Sequence, residues 1–92
     1  MEFLVEIRVE LPGEMPAGER EPLLAAERAR GKELKAAGKI KAIWRIPGGV
    51  HNVGVWEAGD ATELQQLLES LPVYPWLSAE VTALAQHPLD RD

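Results

Sequence analysis

Residues 2–11 set the first limit on what this chain can become. Phe3, Val5, Ile7, Val9 and Leu11 occupy alternate positions, with Glu2, Glu6, Arg8 and Glu10 between them. A period of two belongs to a β-strand with one face in a core. Pro12 and Gly13 end the strand. A strand buried on one face needs partner strands and a second layer to cover its apolar side. The rest of the chain must supply both.

From about Pro16 to Gly38 the sequence reads as one long helix. Proline suits a first turn, Glu19 and Glu21 lie near the positive end of the dipole, and Gly38 suits the C-terminal cap. Segments 39–46 and 50–57 then read as a hairpin around Pro47, Gly48 and Gly49. With Gly48 and Gly49 as a two-residue turn at positive φ, Ile46 lies opposite His51, Arg45 opposite Asn52 and Trp44 opposite Val53. Ala42, Trp44, Ile46, His51, Val53 and Val55 share one face; Lys41, Ile43, Arg45, Asn52 and Trp56 share the other. This reading turns the His51 face towards the long helix, and a slip of one residue would exchange the faces.

Asp60 is placed to N-cap a second helix over 61–70, with Glu63 at capping-box spacing and Leu64, Leu67, Leu68 and Leu71 on its apolar side. Pro72 and Pro75 break it. A last strand over about 78–84 leads to a polar tail near His87 and Pro88. The order β-α-β-β-α-β predicts an α+β, ferredoxin-like fold: a four-stranded antiparallel sheet with two helices on one face. Leu4, Ile43, Trp56 and Leu84 are expected among charges on the open face. That surface is too apolar for water alone, so self-association through a second protomer is expected.

Composition narrows the function. Ninety-two residues with 46% hydrophobic content make one small globular domain, 1–92. No apolar run is long enough to cross a membrane, and the charged, alternating start is unlike a signal peptide, so a cytoplasmic location is expected. The chain has no cysteine, which removes disulfides, thiolate nucleophiles and thiolate metal sites. Fifteen acids against ten Lys and Arg give a net charge of −5, and the bases are interleaved with acids. Nucleic acid is therefore not an expected partner, and an anionic substrate needs a local cationic pocket. His51 and His87 lie far apart without a carboxylate at ligand spacing, so no metal site is expected.

Glu27 breaks the helix pattern. At about 100° per residue, Leu23, Glu27 and Leu34 fall within about 40° of one another, flanked by Leu24 and Gly31. An acid thus sits in the stripe that must face the core. It either finds a cationic partner, with Arg28 and Arg30 nearest on the helix, or has its pKa raised by desolvation. The second outcome tunes a carboxylate for general-base work near neutral pH; the plainer reading is a structural ion pair or an acid bent out to solvent.

Several stretches resemble a known family. IWRIPGG (43–49), Asn52, LPVYPWL (71–77), Glu80 with Val81, and His87 with Pro88 are similar to the muconolactone isomerase family, which includes the chloromuconolactone dehalogenases. The likeness runs end to end from Leu11 and Pro12, and Glu27 coincides with the helix glutamate of the family pattern. The resemblance implies a cofactor-free isomerase of aromatic catabolism (the β-ketoadipate route), a ferredoxin-like fold, and assembly as dimers within a large ring, typically a decamer. The reaction is a 1,3-proton shift across an unsaturated lactone. One base removes a proton beside the lactone π-system and returns it at the far carbon of a delocalised dienolate.

That chemistry assigns candidate roles. Glu27 is the proton shuttle. Arg45 is a fork for the substrate carboxylate, against a plainer reading as a surface arginine paired with Glu6 or Glu57; on the register above it serves a site shared with a neighbouring chain. His51 is a donor to the enolate, against a satisfied structural histidine. Asn52 is a polar substrate contact or a backbone-bonding strand residue. Trp44 and Trp56 read as packing and His87 as a tail contact. Tyr74 and Trp76, held by Pro72 and Pro75, either pack or wall an apolar substrate pocket. The sequence departs from the family pattern at Leu24, where that pattern has a lysine, and at Ala26, Ile40 and Val50. These departures point towards a different lactone or a larger, less polar enone. The competing reading is a non-catalytic oligomeric module that binds a small ligand or serves assembly.

Overall fold

The computed structural model describes residues 1–91. Its elements are β1 (Glu2–Val9), α1 (Ala17–Ala36), β2 (Ile40–Arg45), β3 (His51–Glu57), α2 (Ala61–Glu69) and β4 (Leu77–Leu84), with 3-10 turns at Tyr74–Trp76 and Pro88–Asp90. The four strands form one antiparallel sheet in the order β2-β3-β1-β4. This is the ferredoxin-like α+β arrangement that the order of elements predicts.

The alternation in β1 decides which side of the sheet is covered. Phe3, Val5 and Ile7 are buried and cluster with Leu34 of α1, Leu64 and Leu68 of α2, and Ile40, Trp56 and Leu71. Across the β1–β3 pair, Phe3 faces Trp56, Val5 faces Gly54 and Ile7 faces Asn52. Directly opposed residues share a face of the sheet, so Asn52, Gly54 and Trp56 lie on the helix side. Gly54 is required there: a Cβ would come within 2.8 Å of the Ala42 carbonyl oxygen on β2.

The hairpin keeps the predicted register, with Trp44 opposite Val53 and Arg45 opposite Asn52. Its orientation is the reverse of the expectation. Arg45, Ile43 and Asn52 face the helices, whereas His51 lies on the open side, its Nε2 3.4 Å from Glu6 Oε2. Trp56, expected on the open face, is 1% exposed within the core. A bulge between Ile40 and Ala42 also takes Lys41 out of the Arg45 row, and its Nζ bonds Glu2 at 3.0 Å. Only Gly48 of the hairpin glycines has positive φ, at 109°, so the turn lacks the expected positive φ at both central positions. Leu4 and Leu84 lie on the open face as expected, exposed by 37 and 39%, and Trp44, exposed by 57%, stands there in place of Ile43 and Trp56.

Both helix ends follow from local chemistry. Gly38 (φ 76°) follows the α1 C-cap Ala37, with Lys39 N–H bonded to Leu34 O (2.9 Å) and Gly38 N–H to Lys35 O (3.1 Å). This paired pattern is a Schellman motif. At α2, Asp60 Oδ1 accepts from Glu63 N–H at 2.8 Å. Glu63 Oε1 accepts from Gly59 N–H at 3.0 Å and from Lys39 Nζ at 3.2 Å, so the box closes one residue earlier than its usual form. These bonds and the Lys39 charge hold the Glu63 pKa below its ordinary value. Asp60→Ala removes the cap and is expected to lower unfolding stability by about 1 kcal/mol, read as a shifted urea midpoint at unchanged slope.

Candidate active site

α1 lies across the helix side of the sheet with a cavity of about 380 Å³ beneath it, within the range of about 300–1,000 Å³ common for small-molecule sites. Ile7 and Val9 of β1 line it together with Leu24, Glu27, Arg28 and Gly31 of α1. Ile40, Ile43 and Arg45 come from β2, Val50, Asn52 and Trp56 from the hairpin loop and β3, and Leu71 and Val73 from the segment after α2. The walls are mainly aliphatic and the charged groups are few.

Glu27 is half-buried and has no cation within ion-pair distance among the described residues. Arg30, an expected partner, bonds Ser70 Oγ at 3.1 and 3.0 Å and Glu33 instead. Among the described residues the Glu27 carboxylate accepts one hydrogen bond, from Val73 N–H at 3.2 Å. Burial raises its pKa above the ordinary 4.5, and the Val73 bond opposes that rise without cancelling it. The result is a carboxylate more basic than usual beside an apolar cavity.

The sheet adds polar groups below it. Arg45 has no carboxylate partner among the described residues, so neither Glu6 nor Glu57 ties it down. Asn52 Oδ1 and Trp56 Nε1 are shielded from solvent and have no hydrogen-bond partner among the described residues. A buried polar atom left unpaired costs about 1–3 kcal/mol, and a ligand in the cavity is one way to recover part of that cost.

The structure thus brings Glu27, Arg45 and Asn52 together and separates His51 from them across the thickness of the sheet. It removes the need for a neighbouring chain to bring Arg45 to Glu27. Tyr74 and Trp76 do not line the cavity; the Tyr74 hydroxyl accepts from Gln65 Nε2 at 2.9 Å. Leu71 and Val73, from the same stretch, take the wall position. Sequence reasoning missed the Val73 amide, Arg28 as a lining cation and the unpaired indole of Trp56. The spacing of Leu71 and Val73 around Pro72 was the available signal for the first. Of the four departures from the family pattern, Leu24, Ile40 and Val50 line the cavity, and Ala26 does not.

A ferredoxin-like α+β fold carrying a lone basic carboxylate over an apolar cavity is one class of small-molecule site. The comparisons narrow it. The sequence matches the family model described as muconolactone delta-isomerase over residues 1–90. A muconolactone Delta-isomerase of Acinetobacter baylyi is 38% identical over 88 residues, 96% of this chain and 92% of the relative. One of Cupriavidus pinatubonensis is 36% identical over 88 residues, 96% of each. A crystal structure of muconolactone isomerase superimposes with a TM-score of 0.90 at 30% identity, covering 100% of this chain and 96% of the other. The 5-chloro-2-hydroxyhydroquinone dehydrochlorinase of Burkholderia phenoliruptrix, bound to 2,5-dihydroxybenzoquinone, shares the fold at a TM-score of 0.69 and 23% identity, with 100% of both chains covered. The chain belongs to the muconolactone delta-isomerase family, whose members are intramolecular isomerases.

The position of Glu27 has a thermodynamic signature. Its folded-state pKa lies above its unfolded value, so ionisation opposes folding fully above the folded pKa, and the cost vanishes below the unfolded one. Glu27→Gln keeps an acceptor for Val73 N–H and removes the charge. The variant is expected to melt above the native chain at pH 7–8, with the difference closing as pH falls towards about 4. Calorimetry across that range checks it.

Proposed function

We propose that this protein isomerises muconolactone, or a closely related unsaturated lactone or enone, by a 1,3-proton shift in which Glu27 moves the proton. The observation that carries this reading is a carboxylate of raised pKa, free of any ion pair among the described residues, lining an apolar cavity. Glu27 takes the ring proton next to the π-system. The electron pair left behind delocalises through the double bond onto the lactone oxygen, and the protonated Glu27 returns the proton at the far carbon. One base serves both transfers because the two carbons lie on one face of a small ring. No redox step or leaving group is involved.

Arg45 receives the substrate carboxylate as a two-pronged donor, and the Asn52 side-chain amide donates to the oxygen that gains charge. Tyr74 and Trp76 stand outside this scheme within one chain. Position 24 holds a leucine, so Arg45 carries the anion-binding role, and Leu24, Ile40 and Val50 leave room for a less polar ring substituent.

Replacement of Glu27 by Gln is expected to lower lactone turnover by about 10²–10⁴-fold, followed by ultraviolet absorbance. The native pH–rate profile should show an acid limb displaced above the ordinary carboxylate range. Near-native turnover in the variant would remove Glu27 from the mechanism.

The proposed form is a single domain, 1–92, assembled as dimers within a larger ring and working in the cytoplasm. The exposed Leu4, Trp44 and Leu84 on the open sheet face support a covered surface. No helix among the described residues is long and apolar enough to cross a membrane. Sedimentation velocity at micromolar concentration should show a stable oligomer; a folded monomer would contradict this assembly.

A further inference from the structure

Beside the main cavity lies a second recess of about 270 Å³, lined by Arg28, Gly31, Lys32, Lys35, Ile40 and Ile43. Arg28, Gly31, Ile40 and Ile43 line both, so the recess adjoins the cavity between α1 and the edge strand β2. Charge along this gap is one-sided. Arg28, Lys32 and Lys35 recur at helical spacing on α1, and none has an ion-pair partner among the described residues. Like charges at such spacing destabilise a helix. The chain neutralises other cations: Arg30 with Glu33, Lys39 with Glu63, Lys41 with Glu2. The opposite bank, β2, reads IKAIWR and contains no acid. Among the described residues Glu27 is the one carboxylate lining either the cavity or the recess, in a protein of net charge −5.

We infer that the gap between α1 and β2 is a cationic entrance to the cavity, in which Arg28, Lys32 and Lys35 draw in a small organic anion and make the protein favour carboxylate-bearing over neutral ligands. The inference rests on the proposed reaction for the identity of the anion and adds the route by which it arrives. An acidic surface repels an anion at long range. A local strip of unpaired cations around an apolar mouth reverses the potential where the ligand must pass, which raises the association rate more than it strengthens the bound state. Lys32 and Lys35 line only the outer recess, so their effect should act on capture and not on chemistry.

The test is the charge-reversed pair Lys32→Glu/Lys35→Glu in the full chain. At low ionic strength kcat/KM for the lactone carboxylate is expected to fall about tenfold, the lower end of steering effects, with kcat unchanged. The deficit should disappear near 0.5 M salt, where the Debye length is only a few Å, roughly 4 Å. The methyl ester of the same lactone should lose nothing. Lys32→Gln should lower kcat/KM at low salt, whereas Gln66→Glu on the far helix, with the same change in net charge, should not. Stopped-flow association of benzoate, with benzamide as the neutral control, reads the entrance without turnover. If the native chain fails to isomerise the lactone yet captures benzoate with this salt dependence, the proposed reaction fails and the entrance stands. Equal kcat/KM in native and reversed chains at low salt, equal losses for acid and ester, or no salt-dependent capture of benzoate would each overturn the entrance and make the strip a solvated helix face.

Discussion

The pairing of β1 with β3 is the constraint on which the site depends. The apolar residues of β1 are odd-numbered, and Phe3 opposite Trp56 sends the even-numbered residues of β3 to the same side. Asn52 and Trp56 therefore turn inward and His51 outward. The hairpin passes this parity to β2, so Arg45 and Ile43 come under α1 and Trp44 goes to the open face. A shift of this one register by a single residue would replace arginine and asparagine below Glu27 with tryptophan and histidine. Gly54 guards the arrangement, since its missing side chain lets β2 approach β3 closely enough to carry Arg45 into place.

This dependence explains how much of the structure is legible in the sequence alone. Periodicity marked β1, both helices and the strand order, because alternation, caps and proline breaks are local signals. The stripe position of Glu27 was equally local. The pairing within the hairpin was also right, since short connections constrain register. The side of the sheet on which each hairpin face lands was not local. It depends on β1 meeting β3 across more than forty intervening residues, and no turn encodes that contact. The expected sides of Trp56 and His51 fail for this reason, and with them the expectation that His51, and not Arg45, lies on the Glu27 side of the sheet. Lys41 was misplaced for a smaller one, the bulge beside it.

The energetics of the cavity pull in two directions. Aliphatic walls raise the proton affinity of Glu27, which serves proton transfer, and the same walls penalise its charge in the fold. A salt bridge would relieve the penalty and at the same time weaken the base. The described residues instead provide a single neutral hydrogen bond, with the cations of the cavity kept beyond ion-pair distance of the acid. Stability is given up locally, and the surrounding core of Phe3, Val5, Leu34, Leu64, Leu68 and Trp56 offsets that loss.

The donor in that single bond is main-chain, and this shapes how the protein can change over time. Val73 holds Glu27 through its amide, and every residue type except proline presents that group at the same place. Substitution at position 73 can reshape the cavity wall while the acid keeps its hydrogen bond. Pro72 and Pro75 lie on either side and restrict the backbone that carries the amide. The orientation of the acid is thereby insulated from drift in neighbouring side chains, and the pocket beside it is free to diversify towards other ligands.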